Sequence, residues 1–354
     1  MYRLTATIPN SGPACLIPEV AFHPDGTYFA AAFMGNDEVG LFDATTRAVR
    51  RVYRNPEAGF DKPHGVLLTQ NHLVVASRHF RDRPATFTVY RLDSPSGAPV
   101  FEVDAPFAHL REAHSLAINK HTLVVTHCEN KGSVGALLSY RFDDETGVMS
   151  GPLDMHEQVF DELGMAKGVA FSADGSQVLV SFNADKALGS RERNLFRLFK
   201  LWNILATRGP LGLLNRFGPE AGPRRRPNTE LENGVAVFDV DAAGRFSEKP
   251  VRVILRPDFC RLENIVVNGD VVGLSDTVNH RVHLYDYAAD PDLASPVQTI
   301  TDELTLPHGV KFSPDRRLLV ISNYGLRSRG QMIHWRHFTN PRTDNLMVFE
   351  NSAV

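Results

Sequence analysis

The sequence predicts an all-β fold, a six-bladed β-propeller with four-stranded blades. One sequence motif recurs along the chain: an apolar run, a tight turn and a second apolar run, as in Leu306–Asn323. The Pro-Asp turn of that copy presets one dihedral and bonds to the nearby backbone, which predicts a β-hairpin. Equivalent residues near the start of each copy lie at positions 19, 64, 114, 167, 263 and 308, which are separated by 45, 50, 53, 96 and 45 residues. Four-stranded units at this period are typical of propeller blades.

A third strand can be followed through the copies. Its segments are Val39–Asp43, Phe87–Tyr90, Leu137–Tyr140, Val235–Asp239, Val282–Asp286 and Leu346–Phe349. The long gap falls between the second and third strands of the fourth copy and contains no hairpin of its own, so we count six blades and not seven. The last copy stops after its third strand, and the chain begins with an unassigned strand, Tyr2–Ile8. We predict that this strand is the outer strand of blade 6, so that it closes a single domain over 1–354 and removes exposed edges.

Composition indicates a soluble domain with a large core. The chain has 43% hydrophobic residues and a formal charge of −3, so nucleic acid is not an expected partner. Three cysteines, Cys15, Cys128 and Cys260, lack metal-binding spacing and favour a reducing cytoplasm. We find no signal-peptide pattern and no uncharged run of about 20 residues. We therefore expect a cytoplasmic protein, and the oligomeric state is not predicted.

The equivalent residue near the start of each copy is ionisable in all six copies. These ring residues, our candidate catalytic residues, are Glu19, His64, His114, Lys167, Glu263 and His308. Inner strands of a propeller begin beside the central channel, where unpaired charge is costly to bury, so a shared site is expected. Three imidazoles and two carboxylates could hold a divalent transition metal, and without metal a Glu–His pair could perform acid–base chemistry. The lysine could stabilise an oxyanion or bind a carboxylate. Alternatively, each imidazole could simply bond a carbonyl of the next blade.

The loops after the second strands open on the same face of a propeller. They supply the candidate substrate-binding residues Arg78, Arg81, His127, Asn183, Asp276 and Asn323, to which Trp202 is added from the long insertion. The arginines favour an anionic small-molecule substrate, because guanidinium pairs bidentately with carboxylate or phosphate. Polar loops can equally be solvated and without a role. No P-loop pattern occurs, so no nucleotide cofactor is expected.

Two insertions interrupt the repeats, at about 184–232 in blade 4 and about 324–345 in blade 6. The first contains Asn194–Thr207, whose apolar residues follow the spacing of a helix face. This helix could be a lid over the channel, a packed cap or a dimer contact. Residues 190–217 could also bind a protein or an anionic membrane surface, which would make the protein peripherally membrane-associated.

The segment Ser275–Asp286 resembles an NHL-repeat blade. Pro307–Asp315 is similar to blades of the lactonase, muconate-cycloisomerase and gluconolactonase-like propellers. The gluconolactonase-like resemblance implies calcium, with Glu19 and Asp276 at matching positions, but imidazoles at other channel positions favour a transition metal over calcium. The resemblance implies hydrolase, lyase or cyclase chemistry on a small oxygenated substrate. A non-catalytic scaffold that binds its partner through the insertions is the alternative.

Overall fold

The computed structural model describes residues 1–9, 16–54, 61–78, 84–94, 96–110, 112–128, 135–183, 201, 232–324 and 345–352. In this part of the chain, 24 strands form six four-stranded antiparallel sheets, as the sequence predicts. Trp202 and Arg81 lie outside the described residues, as does the predicted helix at 194–207 except for Leu201. No helix within the described ranges is long and apolar enough to cross a membrane.

The strands follow the chain from the centre of each blade outward, except for the first strand, which belongs to blade 6. Strand β1 (Tyr2–Pro9) is followed in blade 1 by β2 (Val20–Phe22), β3 (Tyr28–Phe33), β4 (Glu38–Asp43) and β5 (Val49–Arg54). Blade 2 contains β6 (Pro63–Leu68), β7 (His72–Ser77), β8 (Thr86–Arg91) and β9 (Pro99–Asp104). Blade 3 contains β10 (Ala113–Asn119), β11 (Thr122–Cys128), β12 (Gly135–Phe142) and β13 (Met149–His156).

The second half of the ring repeats this order. Blade 4 contains β14 (Met165–Phe171), β15 (Gln177–Asn183), β16 (Gly234–Asp239) and β17 (Arg252–Leu255). Blade 5 contains β18 (Leu262–Asn268), β19 (Val271–Asp276), β20 (Arg281–Asp286) and β21 (Gln298–Ile300). Blade 6 contains β22 (Pro307–Phe312), β23 (Leu318–Asn323) and β24 (Asn345–Asn351). A short helix that the sequence did not indicate, α1 (Gln158–Leu163), links blades 3 and 4 and buries Phe160.

The first strand closes the ring in the predicted way. Strand β1 pairs antiparallel with β24, from Tyr2 opposite Asn351 to Pro9 opposite Asn345. The order in this sheet is β1-β24-β23-β22, so the two ends of the chain share one blade. Pairing of β1 removes the row of backbone groups that β24 would otherwise expose.

The core lies between neighbouring blades. In one cluster, buried residues of blade 2 such as Phe87 pack against residues of blade 3 such as Tyr140, with ring centroids 5.8 Å apart. The outermost strands have one exposed face, as in β5, where Tyr53 is the fully buried residue. Each blade therefore depends on both neighbours for the burial of its apolar faces.

A β-bulge marks the ring residue in five of the six described blades. The pairing of the inner strand with the second strand shifts register at His64, at His114, between Ala166 and Val169, between Leu262 and Ile265, and between Pro307 and Val310. A bulge bends its strand and re-aims a side chain. The bulges therefore turn the ring residues towards the axis.

In blades 3 to 6, a hydroxyl group on the second strand satisfies a backbone N–H that the bulge leaves unpaired. Gly168 N donates to Ser181 Oγ at 2.9 Å, and Gly309 N donates to Ser322 Oγ at 2.8 Å. The same bond occurs between Ser115 N and Thr126 Oγ1 at 3.2 Å and between Asn264 N and Ser275 Oγ at 2.8 Å. A buried N–H without a partner costs free energy comparable to a lost hydrogen bond, so these hydroxyls hold the bulges in place.

Two glycines let the blades approach closely beside the ring. A Cβ on Gly168 would lie 2.4 Å from Ile265 N of blade 5. A Cβ on Gly309 would lie 3.0 Å from both Glu19 Cα and Pro18 O of blade 1. Glycine at these positions therefore allows the inner strands to pack backbone against backbone.

Deletion of residues 1–9 should abolish cooperative folding, because β24 loses its partner strand and the ring loses its closure. Far-UV circular dichroism during thermal melting tests this expectation. A truncated chain that melts with the midpoint and cooperativity of the intact protein would show that closure does not depend on β1.

Ser322→Ala should lower the free energy of unfolding by about 1–3 kcal/mol, because Gly309 N is then buried without an acceptor. Ser176→Ala is the matched control, since Ser176 is exposed and should change stability by less than about 0.5 kcal/mol. Urea denaturation of both variants measures the difference. Equal effects would mean that the bulge does not need this hydroxyl.

Candidate active site

Three ring residues meet on the axis. His64, His114 and His308 form the histidine cluster, in which one ligand atom from each residue lies within 4.8 Å of the others. Their ring centroids are 4.3 Å apart for His64 and His114, and 5.2–5.3 Å apart for the two pairs that include His308. All three side chains are buried. This is the only group of this kind that the described residues contain.

Backbone carbonyls of neighbouring blades orient two of the imidazoles. His64 Nδ1 lies 2.7 Å from His114 O, and His308 Nδ1 lies 2.6 Å from Pro18 O. A carbonyl oxygen can only accept, so both Nδ1 atoms carry a hydrogen, and in a neutral ring Nε2 then carries the lone pair. The structure thus contains the bonds between neighbouring blades that a structural role would require, but these bonds leave Nε2 of both residues available.

The Nε2 atoms of these two residues lack a matching donor. His64 Nε2 is buried without a hydrogen-bond partner among the described residues. His308 Nε2 lies 3.5 Å from Glu263 Oε2. A proton on this nitrogen donates to the carboxylate, whereas a ring with its hydrogen on Nδ1 alone offers a lone pair to a metal ion.

Glu263 lies at the centre of the charged groups. Its Oε2 is 3.2 Å from His114 Nε2 and 3.2 Å from Lys167 Nζ, and its Oε1 accepts from Arg261 Nε at 2.8 Å. Burial by itself raises the pKa of this carboxyl group, but Lys167, Arg261 and the hydrogen bonds from His114 and His308 together hold it well below its usual value. Glu263 is therefore an ionised carboxylate.

His114 can adopt either neutral tautomer. Its Nε2 donates to Glu263 in the present arrangement, while its Nδ1 is buried without a partner in the described structure. A proton on Nδ1 would leave Nε2 bare and facing the axis. Burial, together with the charge of Lys167, lowers the pKa of His114 well below 6.5. Burial and repulsion by His114 do the same for the pKa of His64. Both imidazoles are therefore neutral, the form that binds metal.

Glu19 does not join the histidine cluster through any described contact. Its Oε2 accepts from Ser115 Oγ at 2.9 Å and from Asn264 Nδ2 at 2.8 Å, and its Oε1 accepts from Val20 N at 3.3 Å. These bonds connect blades 1, 3 and 5 across the axis. Glu19 is thus a bridge between blades in this structure, whereas the sequence grouped it with the metal ligands.

Further residues lie close to the histidine cluster, and sequence reasoning missed some of them. Arg78 Nη2 forms an ion pair with Glu112 and lies 3.8 Å from Cys128 Sγ. Lys167 Nζ lies 3.7 Å from the same sulfur. Arg78 was predicted from the sequence as a rim residue, while Glu112, Cys128 and Arg261 were not.

A signal for some of these residues was present in the sequence. Lys62, Glu112 and Arg261 each lie two positions before a ring residue, so the repeat places a charged residue at the same offset in three copies. The backbone at Lys62 and Arg261 is left-handed, with φ of 52° and 69°. Neither is glycine, so nothing in the sequence marked this turn.

Tyr324 was also missed. Its ring centroid lies 4.3 Å from that of His308, and its side chain is buried. Burial, with Glu263 as the next cause, raises the pKa of Tyr324 well above its usual value. The phenol is therefore neutral and can donate a hydrogen bond.

The predicted rim residues differ in their surroundings. Asp276 Oδ1 accepts from Cys260 N at 2.7 Å, and Asn323 Oδ1 accepts from Thr305 N at 3.0 Å, so both hold neighbouring loops. His127 and Asn183 lie near the ends of the second strands of blades 3 and 4 and are fully buried. The side-chain nitrogen and oxygen atoms of these two residues have no hydrogen-bond partner in the described structure.

Comparison with known proteins shows the fold. No protein-family model matches the chain, and no curated protein matches it in sequence. A luciferin-regenerating enzyme is similar in structure, with a TM-score of 0.58, 11% identity, and coverage of 97% of this chain and 94% of that one. Kuenenia stuttgartiensis hydrazine synthase has a TM-score of 0.55, 13% identity and 98% coverage of both chains. The Myceliophteria thermophila Cps50 (Swd1) β-propeller domain has a TM-score of 0.52, 13% identity, and coverage of 99% and 100%. At these identities the likeness concerns architecture alone.

His127 should make the protein less stable in acid. Burial, with a smaller effect of His109, lowers the pKa of His127 to about 3, whereas the unfolded chain titrates near 6.5. The unfolded state therefore binds the proton more readily, so stability falls as the pH falls from 6.5 towards 3. The loss between pH 6.5 and pH 5 is roughly 2 kcal/mol.

His127→Leu should remove this part of the acid sensitivity, because leucine has no proton to gain. Urea denaturation of the variant and the wild type at pH 8, 6 and 5 measures the difference in slope. His121→Leu, at an exposed position, is the control and should leave the slope unchanged. An unchanged slope in His127→Leu would show that His127 titrates normally in the folded protein.

Proposed function

We propose that this protein is a metal-dependent enzyme whose active site is the histidine cluster. The observation that carries the proposal is the arrangement of His64 and His308. Each donates Nδ1–H to a carbonyl of the next blade, which leaves Nε2 directed to the axis. Metal-binding histidines are held in this way by outer hydrogen bonds that set the tautomer.

The donor set suits a divalent transition metal. Three imidazoles and the ionised Glu263 give nitrogen ligands with one oxygen ligand, which suit zinc, iron, manganese or nickel. Calcium prefers oxygen ligands, and the carboxylate of Glu19 already accepts from three donors. The donor chemistry therefore favours a transition metal over calcium.

A bound metal would supply Lewis acidity to a carbonyl or to a water molecule. Lys167 contacts the carboxylate of Glu263 and presents an ammonium group that stabilises negative charge on a reacting oxygen. Tyr324 packs on His308 and offers a neutral phenol as a hydrogen-bond donor. Glu263, with its lowered pKa, acts as a ligand or counter-ion and is poorly suited to take a proton at neutral pH.

The substrate is a small oxygenated molecule that carries a negative charge. Arg78, Lys167 and Arg261 bring three cations to the mouth of the cluster, within contact of Glu112, Cys128 and Glu263. Cations in a buried site attract carboxylates and stabilise oxyanions. The sequence resemblance to lactonase-like, cycloisomerase-type and gluconolactonase-like propellers supports hydrolase, lyase or cyclase chemistry. The luciferin-regenerating enzyme and hydrazine synthase are named as catalysts, which agrees with an enzyme on this architecture.

The purified protein should take up about one divalent transition metal ion per chain, measured by elemental analysis and by the visible spectrum of the Co²⁺-loaded protein. His64→Ala and His308→Ala should weaken Co²⁺ affinity by at least about 100-fold, because even outer-sphere changes at such sites cost 10–100-fold. His121→Ala, at an exposed position, is the matched control and should bind Co²⁺ like the wild type. Circular dichroism checks that each variant is folded.

A wild-type protein that takes up no Co²⁺ or Zn²⁺ at neutral pH would overturn the metal site. The alternative is a non-catalytic scaffold that binds a protein or a membrane surface through residues 190–217. Its signature is a metal-free protein that floats with anionic liposomes only while those residues are present.

A further inference from the structure

The channel has a second chamber at the face where the inner strands end. This lower cavity has a volume of about 270 Å³ and is lined by residues of all six inner strands. Its wall contains the residue three positions after each ring residue: Phe22, Leu67, Ala117, Ala170, Val266 and Lys311. Five of these six side chains are apolar and one is a cation. The lower cavity is thus amphipathic, while the ring above it is charged.

The apolar part of the wall faces the cavity. Phe22, Leu67 and Ala117 are only partly buried, as are Ile118 and Phe171, which also line the chamber. Apolar walls with few polar groups are typical of small-molecule sites. Binding of an apolar group to such a concave apolar surface is favourable, because both surfaces are removed from water.

Lys311 is the single cation on this wall. Its side chain is 15% exposed, and its Nζ lies 4.0 Å from Glu19 Oε1, which is too long for a hydrogen bond. Lys311 makes no hydrogen bond within the described part of the chain. Glu19 already accepts from Ser115, Asn264 and Val20, so it does not depend on the lysine. The ammonium group therefore has donors to offer to a ligand.

We propose that the lower cavity binds a small monocarboxylate with an aliphatic or aromatic body. The carboxylate accepts from Lys311 Nζ, and the body contacts the apolar residues of the neighbouring strands. A monoanion is preferred because Glu19 lies beside the lysine and repels a second negative charge. At roughly 30 Å³ for each water-sized group, the chamber holds about nine non-hydrogen atoms, the size of hexanoate or benzoate.

This site is independent of the proposed function. It uses neither the histidine cluster nor Glu263, and it lies on the other side of the bridge that Glu19 makes with Ser115 and Asn264. Loss of metal binding would leave it intact. Likewise, an empty lower cavity would not change the argument for the metal.

Ligand-observed NMR titration of the full-length protein with hexanoate, and with hexanamide as the neutral analogue, tests the proposal. Hexanoate should bind with a Kd on the order of 1 mM, as expected for so few atoms. Hexanamide should bind at least about tenfold more weakly, because it lacks the charge-assisted bond to Lys311.

Lys311→Met should weaken hexanoate binding at least about tenfold and leave hexanamide binding nearly unchanged, because methionine keeps the apolar stem. Lys249→Met, at an exposed position, is the matched control and should bind like the wild type. Ala117→Leu should weaken both ligands, because the larger side chain occupies the cavity. Thermal melting checks that these variants are folded.

Three results would overturn the proposal. The first is equal affinity of the wild type for hexanoate and hexanamide, and the second is unchanged hexanoate affinity in Lys311→Met. The third is no binding of either ligand at about 10 mM, well above the expected Kd. Hexanoate binding that is lost in His64→Ala but kept in Lys311→Met would place the carboxylate at the histidine cluster instead.

Discussion

A buried backbone N–H beside the ring residue, found in blades 3 to 6, is the constraint on which the arrangement of these inner strands depends. The β-bulge that turns a ring residue to the axis takes that N–H out of the sheet ladder, and in blades 3 to 6 a hydroxyl group of the second strand accepts it. Without the hydroxyl, the inner strand would gain a hydrogen bond by returning to regular pairing. Regular pairing would shift the strand by one residue and turn the ring side chain into the space between blades. The serines and the threonine therefore hold the ring residues of these four blades towards the axis.

Close packing between blades adds the second requirement. Gly168 and Gly309 let neighbouring inner strands meet backbone to backbone, and the carbonyls of Pro18 and His114 thereby come within reach of an imidazole. The same bond that joins two blades fixes the tautomer of the histidine that makes it. A bond between blades at His64 and His308 is therefore compatible with the proposed metal site, because it uses only one nitrogen of each ring.

The axis carries two environments in sequence. The histidine cluster lies among Glu263, Lys167 and further buried charges, while the lower cavity is mostly apolar and has Lys311 as its single charged residue. Glu19 lies between them and bridges blades 1, 3 and 5 through Ser115 and Asn264. Equivalent positions of the six inner strands lie at one level of the channel. The residues three positions after the ring residues therefore form a separate lining, and this lining is mostly apolar. One propeller channel can thus hold two ligands of different character.

The repeated hairpins, the aromatic third strand and the unpaired segment at Tyr2–Ile8 predicted the blades, their number and the closure, because these features depend on local patterns and on counting strands. The same repeat located the ring residues, since equivalent positions of identical units must lie around one axis. Sequence reasoning did not reveal that Glu19 bonds away from the histidines, that Arg78 pairs with Glu112, or that Tyr324 packs on His308. These contacts join residues from different blades, and their partners are chosen by rotamers, bulges and left-handed turns at non-glycine residues.

The sequence by itself thus determined the ring and the residue types on it, because both repeat with the chain. Only the tertiary structure decided which nitrogen and oxygen atoms face one another, because those distances depend on how six separate sheets pack.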